Sequence, residues 1–271
     1  GGSIVIPDKI NGVPVTRIGD IAFEGCAGLT GVRIPKGVTH IGDMAFLNCY
    51  NLATVIIPDG VIEIGEYAFM GCYRLASVTI PASVTSLGPH PFIGCVAIDI
   101  AVDPANPAFI CGADGVVFNK KKTWIILCPR KKSGAYEIPE GVTHIAKSAF
   151  SGCSKLTRMT FPASITKLEN RSLLFCEALE GIYFKGDAPK LGVKVLSNED
   201  KVIVYHLSAT KGWGKEFGGR PTKVWEEKAK EVIRLMTLEL VKDMASGLER
   251  ELSISNFPNK PLLFLMFHQS G

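Results

Sequence analysis

Six of the eight cysteines lie on one ruler: Cys26, Cys49, Cys72 and Cys95 are each 23 residues apart, and Cys153 and Cys176 keep the interval. Thiols in this number suit disulfides, metal ligation or nucleophilic chemistry, and in a secreted chain a disulfide framework is the first reading. The spacing argues against it. If 23-residue units stack as successive coils, equivalent cysteines carry parallel Cα–Cβ vectors. Their Cβ atoms then lie about one coil spacing apart, beyond the ~3.5–4.5 Å of a disulfide. A ladder of buried thiols is expected instead, each behaving as a small hydrophobe. Cys111 and Cys128 fall outside that ladder and are the one pair in which a bridge is worth testing.

The remaining search for chemistry is nearly empty. There is no Cys-x-x-Cys, His-x-x-x-His, Gly-x-Ser-x-Gly or Walker loop, so no catalytic residue, cofactor or metal is expected, and the chain is not read as an enzyme. "GWGKEFGG" from Gly212 has Gly-x-Gly-x-x-x-Gly spacing and precedes Pro221 rather than a helix, which suits turn glycines better than a phosphate loop. Asn170-Arg171-Ser172 matches a glycosylation sequon by letters alone. His40 and His144 share a repeat position that elsewhere holds Arg17, Glu63, Ser86 and Lys167, a set that only a solvated slot tolerates.

The elements that must position these residues follow from the repeat. Its unit is Leu-x-x-Val-x-Ile-Pro-x-x-Val-Thr-x-Ile-Gly-x-x-Ala-Phe-x-x-Cys, as in "LTGVRIPKGVTHIGDMAFLNC" from Leu29. Leu29, Val32 and Ile34 suit a short strand with one buried face, and Pro35 ends it because proline has no ladder N–H. Val38 and Ile41 suggest a second short strand, broken at Gly42. Ala45, Phe46 and Cys49 then turn one apolar face inward, as a short helical or 3-10 turn would. Such units bury their apolar sides only by stacking at roughly 4.8 Å, so about eight coils would make a rod near 40 Å long. The gap of 58 residues from Cys95 to Cys153 is two periods plus 12, which places an insertion mid-chain.

The stretch "LTGVRIPKGVTHIGDMAFLNCYNLATVIIPDG" resembles the BspA-like class of leucine-rich repeats, with its Ile-Pro, Val-Thr-x-Ile-Gly and Ala-Phe-x-x-Cys steps, and the likeness runs from Ile4 to about Phe184. "VDPANPAFICGADGVVFNKKKTWIILCPRKKSGAYEIPEGVTHI" is similar to the hairpin-bearing irregular coil often held in mid-array. "VIVYHLSATKGWGKEFGGRPTKVW" resembles the segment that often closes such arrays. The expected organisation is a mainly β solenoid of 23-residue coils over 1–187, irregular over about 96–138, then a closing strand and turn segment over 188–225. Local irregularity is expected where Pro89, His90 and Pro91 precede Phe92, and where Leu173, Leu174 and Phe175 blur the alanine position.

Past Trp225, Ile233, Met236, Leu240, Val241, Met244 and Leu248 fall at helical spacing, which predicts an amphipathic helix of about 25 residues. With the apolar tail "PLLFLMF", residues 226–271 read as a cap over the open solenoid end or as a docking element. The longest apolar run, Leu262 to Phe267, is far short of the ~20 residues that span a bilayer. The chain opens on Gly1-Gly2-Ser3 without Met and enters mid-repeat, so a trimmed product that lacks its targeting segment is expected.

Between the buried valine and isoleucine of each long strand lies an outward position, held by Arg33, Ile56, Thr79, Glu137, Thr160 and Tyr183. This row is the candidate partner surface. Gly31, Thr54, Ser77, Ala135, Arg158 and Gly181 flank it. A candidate basic patch is formed by Lys120, Lys121 and Lys122 at a hairpin turn and Arg130, Lys131 and Lys132 about 20 Å away at the far strand end. An acidic polysaccharide or acidic protein face would suit it. Nucleic acid is not expected, because a formal net charge of +4, with Trp124 the only aromatic nearby, provides neither a basic groove nor stacking platforms. The resemblance implies a bacterial surface or secreted adhesin-like protein that engages a protein or glycoprotein of host matrix or another cell. The alternative is a scaffold that self-associates through its C-terminal helix.

Overall fold

The computed structural model describes residues 2–197 and 200–225; the helix expected within 226–271 lies outside them. The period becomes a β-solenoid of about nine turns. Long strands Gly2–Val5, Leu29–Arg33 and Thr54–Ile56 pair in parallel, as do Ser77–Ile80 and Asp99–Val102. After the insertion, Ser133–Glu137, Lys155–Phe161, Gly181–Phe184, Ile203–Leu207 and Arg220–Trp225 form a second parallel run. Short strands build another wall, two-residue ones through Arg17–Ile18, His40–Ile41, Glu63–Ile64 and Ser86–Leu87, then the four-residue Trp124–Leu127 followed by His144–Ile145, Lys167–Leu168 and Lys190–Leu191. The threonine of the Val-Thr step bonds coil to coil: Thr39 Oγ1 donates to Thr16 O at 3.1 Å and Thr166 Oγ1 to Thr143 O at 3.0 Å.

The expected helical turn takes another form, and no helix occurs among the described residues. From Gly42 to Cys49 the backbone alternates its bonds. Ala45, Leu47 and Cys49 donate three residues back, to Gly42, Met44 and Phe46. Met44, Phe46 and Asn48 donate to Glu66, Ala68 and Met70 of the next coil at 2.9, 2.7 and 2.7 Å. A helix would direct every N–H along its own axis and leave the neighbouring coil's carbonyls unpaired. The alternation needs left-handed residues, and Met44 (φ 54°) and Asn48 (φ 59°) adopt that conformation despite its cost outside glycine. Arg171 (φ 57°) keeps the left-handed start of the turn and Leu173 takes the phenylalanine place, fully buried, whereas in the coil of Pro89 to Pro91 His90 is left-handed (φ 56°) but Pro91 has no N–H for the bond back to Gly88, which is the irregularity expected there. Coils approach so closely that a Cβ on Gly65 would lie 2.6 Å from Asp43 N.

The interior is two cores rather than one. In the first, Phe23, Phe46 and Phe69 stack with centroids 5.0 and 5.1 Å apart. The thiols follow the coils: Cys49, Cys72 and Cys95 Sγ donate to the carbonyls of Phe23, Phe46 and Phe69 at 3.0, 3.3 and 3.4 Å. All eight cysteines are free. Two thiol expectations change. Cys26, in the first coil, is exposed rather than buried, whereas Cys128 joins the ladder of the second core, where Cys153 Sγ lies 4.0 Å from its carbonyl. The suggested Cys111–Cys128 bridge does not form, because Cys111 packs on the first core and Cys128 within the second.

Burial pushes the Cys49 thiol up to about 11 and that of Cys95 up to about 12. Iodoacetamide at about pH 8 should therefore modify Cys26 readily and leave Cys49, Cys72 and Cys95 intact until the chain unfolds. Peptide mass mapping reads this, and rapid labelling of all eight in the native state would refute the ladder. Because the folded chain holds these protons more tightly than the unfolded one, whose ordinary value is 9.0, stability should decline as pH rises from 9.0 toward about 11.

The insertion forms the partition between the cores. Phe109–Cys111 runs antiparallel to Val117–Asn119, which runs antiparallel to Trp124–Leu127, and that last strand enters the short-strand wall beside His144–Ile145. Phe109 and Val117 belong to the first core, Val116, Phe118 and Ile125 to the second. At its entrance Asn106 is fully buried: its Nδ2 donates to Pro81 O at 2.7 Å and Val84 O at 2.8 Å, and its Oδ1 accepts from Ala108 N and Phe109 N. At the end of the second core, Trp213 and Phe217 pack on Phe184 with centroids 5.0 and 5.7 Å away. Gly212, Gly218 and Gly219 there have positive φ, as turn glycines should.

Candidate functional site

Alternate residues of a long strand face outward, so each coil adds one position to an exterior row. Register pairs Arg33 with Ile56 and Thr79 with Ala101, and sets Glu137, Thr160 and Tyr183 side by side, followed by Tyr205 and Lys223. The six residues of the expected stripe thus occupy three sheets. Arg33, Ile56, Thr79 and Glu137 are exposed and Tyr183 is half-buried, but Thr160 is only 6% exposed, flanked in its row by the larger Glu137 and Tyr183.

The second arm turns its part of the row into an aromatic surface. Tyr183 and Tyr205 stack at 4.5 Å with planes 6° apart, the Arg158 guanidinium lies 3.8 Å over the Tyr183 ring, and Trp225 meets that ring edge-on at 5.2 Å. Gly181 makes room for it, since a Cβ there would stand 2.9 Å from Tyr183 Cε2. Stacked rings and a cation over a ring add to area burial and hold the side chains in one arrangement. Sequence reasoning missed Tyr205 and Trp225. The signal was the period-two pattern of "VIVYHL", in which Tyr205 follows Tyr183 by 22 residues rather than 23.

Four of the six basic residues of the candidate patch already have partners. Lys120 Nζ donates to Asn106 O at 2.7 Å and Arg130 Nε to Gly152 O at 2.8 Å. Lys131 pairs with Asp99, and Lys132 pairs with Asp114 at 2.8 Å while lying over the Tyr136 ring. Lys131 and Arg130 thus tie the insertion to the first and second arms, Lys120 and Lys132 bond within it, and Lys121 and Lys122 stand exposed at the hairpin turn. The histidine slot is as expected from the repeats: Arg17, His40, Glu63 and Ser86 lie in register, and Trp124 joins the second arm's row by stacking on His144 at 4.5 Å.

A surface that the sequence did not single out lies on the turn side of the coils. There the two arms face one another across a cleft of about 780 Å³, with Met44, Tyr67 and Met70 on one wall and Arg171, Phe175 and Lys194 on the other. Lys147 bridges the arms to Glu66 at 3.2 Å. Among the described residues no group of three or more His, Cys, Asp or Glu could hold a metal ion, and no helix is long and apolar enough to cross a membrane.

This architecture defines a leucine-rich repeat solenoid. The chain matches the BspA type leucine-rich repeat region in six copies over residues 3–111 and 131–210, and it belongs to that family. Among solved structures it is similar to a leucine-rich repeat protein from Eubacterium ventriosum, at 21% identity over 83% of this chain and 72% of that one, with a TM-score of 0.54. It is also similar to the pneumococcal vaccine antigen PcpA, at 16% identity over 87% and 86% with a TM-score of 0.45. A third is the leucine-rich repeat protein TpLRR of T. pallidum, at 23% identity over 86% and 82% with a TM-score of 0.42. No curated protein matches the chain by sequence. Leucine-rich repeat proteins generally bind other proteins.

Proposed function

We propose that this chain is a non-enzymatic binding module of a secreted or surface-exposed adhesin-like protein, which recognises a protein or glycoprotein of host matrix or another cell. The observation that carries the reading is the aromatic surface of Arg158, Tyr183, Tyr205 and Trp225, built on parallel strands and already stacked. Aromatic and arginine side chains dominate binding hot spots, and a surface ordered in advance loses little entropy on association.

Biolayer interferometry against immobilised fibronectin and fibrinogen, at about 150 mM salt and again at about 500 mM, tests the reading. Saturable binding that survives the higher salt is expected, and the double variant Tyr183→Ser/Tyr205→Ser should weaken it about tenfold or more. Binding that vanishes at high salt would redirect attention to Lys121 and Lys122. No binding at either salt, or binding indifferent to the double variant, would overturn the assignment.

A further inference from the structure

The cleft between the arms is built from one repeat slot. The residue two places before each core phenylalanine position is left-handed throughout, with φ between 53° and 63°: Ile21, Met44, Tyr67 and His90 in the first arm and Ser148, Arg171 and Lys194 in the second. Five of these, all but Ile21 and Ser148, line the cleft. Three features of this lining go beyond what the fold requires.

The first is apolar exposure on a turn face that the fold leaves to solvent. Met44 and Met70 are each 36% exposed and Phe175 is 43% exposed. Thioether side chains are adaptable and recur at binding surfaces. The second is charge. Among the described residues no carboxylate lines the cleft, Arg171 and Lys194 form no ion pair, and Glu66 at the margin is taken up by Lys147. His90, stacked on Tyr67 at 5.1 Å, registers the resulting field: burial first, then the charges of Lys147 and Arg171, push its pKa down to about 4. The third is an unmet hydrogen bond. Ser151 lines the cleft at 6% exposure, and among the described residues its Oγ, like those of Ser148 and Ser172, has no partner. A buried hydroxyl without a partner costs stability unless something else supplies one.

We propose that this cleft binds an acidic peptide segment bearing bulky apolar side chains, whose carboxylates meet Arg171 and Lys194 and whose apolar groups lie against Met44, Met70 and Phe175. A χ1 rotation of Ser151 would turn its Oγ, now enclosed, toward a polar atom of the same segment. The volume falls within the about 300–1,000 Å³ usual for ligand sites, and the open trough between two walls suits a chain segment better than an enclosed small molecule. The proposal specifies a partner class for the binding-module reading, but it uses a separate side of the coil from the aromatic surface.

The test is selection of a random heptapeptide phage library on the full chain, followed by titration of one enriched peptide into protein carrying methyl-labelled methionine. Enrichment of Asp or Glu beside Leu, Phe, Met or Trp is expected. On titration the Met44 and Met70 methyl signals should shift while that of Met159, fully buried in the second core, stays in place. Arg171→Glu/Lys194→Glu should weaken the peptide about tenfold or more, and Phe175→Ser, on a partly exposed side chain, should also weaken it while the thermal midpoint is kept. Tyr183→Ser/Tyr205→Ser should leave the peptide affinity unchanged, so failure of the matrix-protein assay and failure of the cleft are distinguishable. Selection of basic or charge-indifferent peptides, still Met44 and Met70 signals, or a folded double reversal that binds as tightly as the parent would each overturn the proposal.

Discussion

Phe46→Ala is expected to lower the free energy of unfolding by about 3–5 kcal/mol, read from urea denaturation. The ring is fully buried and stacked on both sides, 5.0 Å from Phe23 and 5.1 Å from Phe69, with interplanar angles of 1° and 4°. A coil in a solenoid is stabilised only by its two neighbours, so a void at Phe46 weakens two interfaces at once. Cys49 and Cys72, which bond to the Phe46 carbonyl through N–H and Sγ respectively, are themselves held in coil register and cannot collapse inward to fill it. Phe23→Ala in the first coil, on a partly exposed ring with one stacked neighbour, should cost about 1–2 kcal/mol. Because the two cores are separate, hydrogen exchange in the Phe46→Ala protein should lose protection across the first arm while amides around Leu156, Ile182 and Val204 keep theirs. Equal loss in both arms would mean that the partition does not divide cooperativity, and a cost below about 1 kcal/mol would mean that the stack is not the unit of stability.

The repeat was legible because stacking imposes the same demand on every coil. Phe46 must meet Phe23 and Phe69, and Gly65 must let Asp43 approach, so the string repeats wherever the contact repeats. Positions that face outward obey no such demand. The left-handed slot holds Met44, Tyr67, His90, Arg171 and Lys194, and nothing in their variety announces a shared cleft. The cleft depends on how the insertion re-aims one arm toward the other, a long-range outcome marked locally only by the broken period. The same break hid Cys128, which enters the second ladder 25 residues before Cys153 rather than 23. The basic residues of the insertion were visible as charges, but their neighbours were not: Asp99 and Asp114 reach Lys131 and Lys132 only once the hairpin is folded against the strands. The helical turn was misread for a related reason. Three-residue apolar spacing fits a helix and an alternating turn equally well, and the choice is made by carbonyls one coil away.

The residue on which the insertion turns is Asn106, and Asn106→Ala should cost about 3–5 kcal/mol, since each buried polar group left without a partner costs about 1–3 kcal/mol and relaxation recovers part of the sum. The side chain links the last coil of the first arm to the hairpin through both of its ends, donating to Pro81 O and Val84 O and accepting from Ala108 N and Phe109 N, all between 2.7 and 2.8 Å. Only an amide has two donors and an acceptor at that spacing. Asn106→Asp separates the two halves of the role: it keeps an acceptor for the two N–H groups but sets a second carboxylate oxygen against two carbonyls. That variant should be destabilised comparably at about pH 8 and should regain stability as pH falls, because the folded state favours the protonated acid and its raised pKa makes the stabilisation largest below the unfolded value of about 3.9. Both variants should also weaken peptide capture in the cleft, since Lys120 anchors on Asn106 O and the hairpin sets where the second arm begins. Thermal and urea unfolding at the two pH values measure the first effect and the methionine methyl titration the second. If Asn106→Ala unfolds like the parent and still presents Met44 and Met70 to the peptide, then the arms are positioned by the parallel entry of Trp124–Leu127 into the short-strand wall, and the asparagine merely fills the space beneath it.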